Sequence, residues 1–195
     1  MIRSGSDRTP IRGWPSSPST ATRPACRSRT IGRFNTSLPY TSLGRSRATC
    51  WAVWEQNASG GVRRKNQAGP LHTALSRYKP FLSDHPAVVT GDFNSNAIWD
   101  KPGWRINRMA TVDALEGLGL VSACHTVRDE LHGRETIPTL YWMDRTKDGP
   151  TYHIDYVFLP DRWVDRVKGL SVGTFEGWCG SGLSDHVPII IDIDL

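Results

Sequence analysis

The chain has 195 residues, 38% of them hydrophobic, which suits one soluble domain with a real core. No apolar run reaches the length of a membrane-spanning helix, and the start lacks the apolar stretch of a secretory signal. The four cysteines, Cys26, Cys50, Cys124 and Cys179, form no CxxC pair, which argues against a cysteine zinc site or a disulfide framework and for reduced thiols in the cytoplasm.

The net charge of +5 is unevenly spread. Residues 1–50 hold nine Arg, no Lys and a single acid, Asp7, whereas residues 51–195 hold fifteen basic residues against eighteen acids. In the first segment, 25 of the 50 residues are Ser, Thr, Pro or Gly. Such a stretch buries too little apolar surface to offset the entropy of ordering. Residues 1–50 are therefore expected to form a disordered basic leader. A nucleic-acid-binding arm, an organelle-targeting leader and an out-of-frame start are the competing readings, and Arg without Lys favours the last.

Order is expected from Trp51, with residues 51–195 as the folded domain. "WAVW" (51–54) reads as a short strand. In "LHTALSRYKPFL" (71–82), Leu71, Leu75, Tyr78 and Leu82 share one helical face, and Pro80 is expected to end or kink the helix early. "AVVTGDFNS" (87–95) predicts a strand in which Gly91 allows a tight turn or close backbone approach and Asp92 sits where the strand leaves the sheet. "INRMATVDALEGLGL" (106–120) predicts a helix stopped at Gly119. "LVSACHTV" (120–127) reads as strand or loop. Residues 125–150 read as a long polar loop with a short strand at "TLYW". "YHIDYVFL" (152–159) alternates as a strand, and "SDHVPIIIDIDL" (184–195) is a turn followed by a strand. The order β, α, β, α, β, β predicts an α/β class with a mixed sheet.

Three places carry acids at or beside strands. Asp92 and Asn94 follow one strand. Asp155 lies inside another, between Ile154 and Tyr156, where a carboxylate is costly unless paired. Asp185 and His186 precede the last strand. His186 and His153 are the candidate partners for Asp155, because a carboxylate raises an imidazole's pKa and fixes its tautomer. Taken singly, each residue is equally well explained as a turn, cap or satisfied core group.

Together, "GDFNSN", "HIDYVF" and "SDHVPI", in this order, resemble the endonuclease/exonuclease/phosphatase superfamily. The resemblance covers about Trp51 to Leu195 and is strong from Pro86 onward. "PTLYW" looks like the family's substrate-side loop. The resemblance implies a four-layer α/β sandwich and metal-dependent cleavage of a phosphate ester, with Mg²⁺ or Mn²⁺ as cofactor. It implies that Asp92 deprotonates the attacking water and that Asn94 holds that water or a phosphate oxygen. Asp185 would bind the metal. His186 would contact the phosphate, with Asp155 orienting and charging its ring, and His153 joins the substrate-binding set.

The family's first half, including a strand with a metal-binding Glu, is not found before Trp51. Glu55 reads instead as a polar residue ending a strand. The expected fold is therefore an incomplete sandwich with one sheet face exposed, which a partner could cover. A catalytically impaired remnant and a nucleic-acid-binding module are the alternatives to an active phosphoesterase. The substrate stays open among nucleic acid, phospholipid and small phosphate esters.

Overall fold

A computed structural model of the protein describes residues 37–43, 47–55, 70–102, 108–142, 146–182 and 184–195. Its centre is a mixed five-stranded sheet of order β1-β2-β3-β7-β4. The strands are β1 (Ser37–Leu43), β2 (Arg47–Trp54), β3 (Ala87–Asp92), β4 (Leu120–Ser122) and β7 (Asp155–Pro160). β2 and β3 are parallel, joined across helix α1 (Pro70–Asp84); the other pairings are antiparallel. Two ribbons complete the sheet structure: β5 (Leu140–Tyr141) with β6 (Thr151–Tyr152), and β8 (Val167–Val172) with β9 (Ile189–Ile193).

Period 2 along the strands builds the layers. Trp51, Val53, Val89 and Phe158 face one side, against Leu71, Ala74, Leu75 and Leu82 of α1 and Val112 and Leu115 of helix α2 (Arg108–Glu116). Ala48, Val88, Val157 and Leu159 face the other side, toward Leu170, Ile191 and Ile193 of the β8–β9 ribbon. The described residues thus form helix, sheet and ribbon layers.

Several elements depart from the sequence expectations. β1 and the start of β2 fall inside the 1–50 segment that was expected to lack order. The average composition of fifty residues hides a seven-residue strand at the sheet edge, the position in a sheet where a proline such as Pro39 is tolerated. The remainder of that segment lies outside the described residues. Helix α1 runs through Pro80 to Asp84. Pro80 is on the exposed face, and the extra turn buries Leu82. "LVSACHTV" is a short strand, β4, that turns directly into helix α3 (Ala123–Arg128). "YHIDYVFL" is broken at His153–Ile154, so β6 and β7 belong to different sheets. A 3-10 helix (Asp161–Arg166) and β8 follow, both missed by the pattern reading. Helix α2 stops at Glu116, and the turn closes at Gly119, whose φ of 72° is the left-handed conformation that glycine supplies. Its first turn is capped by Asp100, whose carboxylate accepts from the amides of Arg108 (2.7 Å) and Met109 (3.0 Å).

Candidate active site

β3 carries the first site residue. At Gly91 the backbone has φ 135°, and a Cβ there would lie 2.0 Å from the Val53 carbonyl oxygen. Only glycine lets β3 run this close to β2 while turning toward the strand end. The next residue, Asp92, is the last of β3, and Phe93 beyond it is fully buried in the core. The apolar Phe93 pins the backbone while its polar neighbours on either side reach outward.

Asn94 holds the carboxylate of Asp92. Its backbone amide donates to Asp92 Oδ1 (2.8 Å) and its side-chain Nδ2 to Asp92 Oδ2 (2.9 Å) and to the Glu55 carbonyl (2.6 Å). This requires the left-handed φ of 46° at Asn94, which Asn tolerates better than most residues. Burial pushes the Asp92 carboxyl up to about 6; Asn94 pulls it down, Asp155 pushes it up, His186 pulls it down and Asp185 pushes it up.

Asp155 opens β7 and is the direct cross-strand partner of Asp92. Its Oδ2 lies 2.8 Å from His186 Nδ1. That hydrogen bond is the main cause that raises the His186 pKa above its ordinary value. With Nδ1 occupied, Nε2 is the ring nitrogen left for another group. The segment carrying His186 is tied to "TLYW": Tyr141 donates its amide to the Asp185 carbonyl (2.9 Å), Val187 to the Thr139 carbonyl (2.9 Å), and Leu140 bridges to His186. The fully buried Thr139 hydroxyl accepts from the amides of Ile154 and Asp155, both at 3.0 Å. Thr139 thereby ties the Asp155 strand to the His186 segment, a role no sequence pattern announced. Asp185 itself is exposed.

Of the predicted set, Asp92, Asn94, Asp155, Asp185 and His186 come into one bonded and electrostatically coupled group. His153 makes no hydrogen bond to it among the described residues, although the Asp155 charge acts on its ring. Its ring is buried, with Nδ1 bonded to the Ile137 carbonyl (2.8 Å), so the partner of Asp155 is His186. Glu55 is buried beside Asp92, and burial lifts its pKa to about 7, against a hydrogen bond from the Leu71 amide. That bond places it at the first turn of α1, as a helix-capping group.

The carboxylates are the donor type a hard divalent cation takes, though among the described residues no three of this set bring ligand atoms within 4.8 Å of one another. Asp92, Asp155 and Asp185 offer carboxylate oxygens, and the mutual repulsion acting on Asp92 is what such a cation would relieve.

A second polar cluster lies deeper. His125, His132 and Glu135 each present one ligand-type atom, all within 4.8 Å of one another. His125 Nε2 is 3.1 Å from Glu135 Oε1, and its Nδ1 is 2.7 Å from Ser122 Oγ. Burial raises Glu135, but hydrogen bonds from His125, from the Gly133 and Glu135 amides and from Asn96 hold it down at about 2. Burial, reinforced by His125 and Arg108, lowers His132 to about 3. Polar residues scattered through an apparent loop left no sequence signal beyond their types.

The tryptophans divide. Trp51 and Trp163 are core residues, whereas Trp54, Trp99, Trp142 and Trp178 are exposed. Trp99 and Trp142 flank Tyr152, with ring centroids 4.9 and 6.1 Å away.

No family model and no curated protein sequence matches the chain. Solved structures do. The endonuclease domain of TRAS1, a telomere-specific non-LTR retrotransposon, aligns at TM-score 0.54 and 17% identity, over 83% of this chain and 64% of that one. An AP endonuclease from Leishmania major aligns at TM-score 0.52 and 14% identity, over 80% of this chain and 54% of that one. A 3' phosphatase from Neisseria, bound to a product DNA hairpin, aligns at TM-score 0.50 and 16% identity, over 82% and 65%. The chain spans less than two thirds of the length of each. Among the described residues no helix is long and apolar enough to cross a membrane. At these identities the likeness is one of architecture: over the aligned part, this chain shares the fold of the TRAS1 endonuclease domain, the Leishmania AP endonuclease and the Neisseria 3' phosphatase.

Proposed function

We propose that the protein hydrolyses phosphate esters, with DNA as the favoured substrate class. The observation that carries this reading is the 2.8 Å Asp155–His186 bond set beside a carboxylate, Asp92, whose pKa is lifted to about 6. Water is a poor nucleophile near neutral pH and needs a base within hydrogen-bond reach. Asp92, ionised above pH 6 and held at both oxygens by Asn94, accepts the water proton. Asn94 acts chiefly on Asp92, since its amide nitrogen is engaged there and at the Glu55 carbonyl. His186, charged with the help of Asp155, donates from Nε2 to a non-bridging phosphate oxygen and offsets the charge that grows there. Asp185, with Asp92 and Asp155 nearby, would hold Mg²⁺ or Mn²⁺. Such an ion supplies charge neutralisation on the phosphate and the leaving oxygen.

Three observations support this reading. The architecture is shared with two endonucleases and a 3' phosphatase. The β8–β9 ribbon covers the sheet face opposite the helices, as part of a second sheet would in a four-layer sandwich. The exposed Trp99 and Trp142 rings, with half-buried Tyr152 between them, offer faces on which unpaired bases stack.

The test is hydrolysis of bis(p-nitrophenyl) phosphate and of a labelled DNA duplex carrying an abasic site, with and without Mg²⁺. Mg²⁺-dependent turnover, abolished by His186→Ala and by Asp92→Asn, is expected. Metal-independent turnover, or turnover unchanged in both variants, would overturn the proposal.

A further inference from the structure

We propose that His125, His132 and Glu135 form a binding site for a zinc-class ion, separate from the phosphoesterase site. The three ligand-type atoms lie within 4.8 Å of one another. Two ligands of a tetrahedral zinc, each at ~2.0–2.1 Å, stand roughly 3.3 Å apart, and His125 Nε2 and Glu135 Oε1 are already 3.1 Å apart. His132, half-buried in a turn ahead of Gly133, stacks on the His125 ring with centroids 3.6 Å apart, so closing the site requires His132 to rotate out of that stack.

The surroundings are those of a metal centre. A metal-ligating histidine usually bonds a polar group through its other nitrogen, which fixes its tautomer. His125 does so, Nδ1 to Ser122 Oγ at 2.7 Å. Glu135 is steadied in the same way, its Oε2 accepting from Asn96 Nδ2 at 3.1 Å. His132 Nδ1 is buried with no hydrogen-bond partner among the described residues. Such an orphan is costly unless something is bound there. A cavity of about 150 Å³ is lined by Glu135, Gly133 and His153 among others and opens the Glu135 side of the cluster to solvent.

The donor set chooses the metal. Two imidazoles and a single carboxylate suit zinc and its late transition-metal neighbours. They are too few in oxygen for Mg²⁺ or Ca²⁺. One charge opposes binding: the buried Arg108 guanidinium acts on His132. That charge is spread over aromatic faces, 3.5 Å from the Tyr156 ring centroid and 4.8 Å from that of Phe93, and the Glu135 carboxylate offsets it. The ion would tie α3 to the 131–135 turn and, through Asn96, whose Nδ2 also reaches the His153 carbonyl at 2.8 Å, to the entrance of β7. The role is structural: it stiffens the support of Asp155 without touching it.

Metal-stripped protein is titrated with Zn²⁺ against a chromophoric chelator, in excess Mg²⁺ so that the carboxylate group is saturated. One equivalent of tight binding is expected. His132→Ala and Glu135→Gln should each weaken it at least ~100-fold, since loss even of a supporting partner costs ~10–100-fold. Asp92→Asn should leave it unchanged. X-ray absorption on the wild-type zinc protein should show two imidazoles in the coordination shell, which decides the matter should either variant fail to fold. No stoichiometric zinc, an oxygen-only shell, binding unaffected by both variants, or binding lost in Asp92→Asn would each overturn the proposal. None of these outcomes depends on phosphoesterase activity.

Discussion

Asp92 and Asp155 stand directly opposite each other across the antiparallel strands β3 and β7. Like charges in that position destabilise a sheet. The protein relieves the pair from both ends: Asn94 donates twice to Asp92, and His186 bonds Asp155. A stability-driven design would have put an apolar or opposite-charge pair there. The arrangement makes sense if both carboxylates serve chemistry at the sheet edge.

The coupling of Asp155 to His186 is measurable. The raised folded-state pKa of His186 rests first on its hydrogen bond to Asp155. Asp155→Asn should lower the His186 pKa, read by NMR of the imidazole in metal-free protein, and cut turnover by two orders of magnitude or more, roughly the scale of one lost electrostatic stabiliser. The sign of the linkage also follows. A histidine with a raised folded pKa adds stability that is fully present below its unfolded value near 6.5, and that stability fades as pH rises through the folded pKa. Unchanged His186 titration in Asp155→Asn would break the pairing argument.

The rate should trace a bell against pH. Asp92 must lose its proton to act as base, so turnover should rise along an acid limb that lies below about pH 6, the metal-free value for Asp92, because a bound cation favours the carboxylate. It should fall again as His186 deprotonates above its raised pKa. In Asp92→Asn the acid limb should vanish along with most of the rate. A rate that kept climbing above pH 9 would remove the imidazolium from the mechanism.

Gly91→Ala tests the strand that aims Asp92. The added Cβ meets the Val53 carbonyl at 2.0 Å, a backbone atom that cannot swing away, and the φ of 135° is unfavourable for alanine. Strain of this kind costs ~1–3 kcal/mol before the clash is counted, so a loss of about 3 kcal/mol or more is expected in chemical denaturation. A variant as stable as wild type would mean that β2 and β3 are not packed this closely.

Thr139→Val should behave differently from a simple core swap. Valine matches the shape but leaves the Ile154 and Asp155 amides without their acceptor. Each orphaned buried group costs ~1–3 kcal/mol, so the melting temperature should fall and turnover with it. Thr139→Ser keeps the hydroxyl and should restore turnover more fully than stability. Equal turnover in the valine and serine variants would show that Thr139 does not position Asp155.

Much of this was legible in the chain itself. The period-2 run ending at Gly91 and Asp92 gave the strand and the place where it leaves the sheet. A lone acid between Ile154 and Tyr156 demanded a partner, and the histidine of the next motif supplied it at 2.8 Å. These features are local: alternation, one glycine and one buried charge state their needs within a few residues. What tertiary structure alone decided is which distant segments meet. Residue types alone left His186 and His153 open as partners of Asp155 and the resemblance implied His186; the structure adds the break between β6 and β7 that sends the His153 ring to the Ile137 carbonyl. The capping role of Glu55, the bridge made by Thr139 and the meeting of His125, His132 and Glu135 depend on long-range pairing. A hydroxyl or an imidazole has no periodicity of its own, and its chemistry is set by whatever the fold brings within ~3 Å.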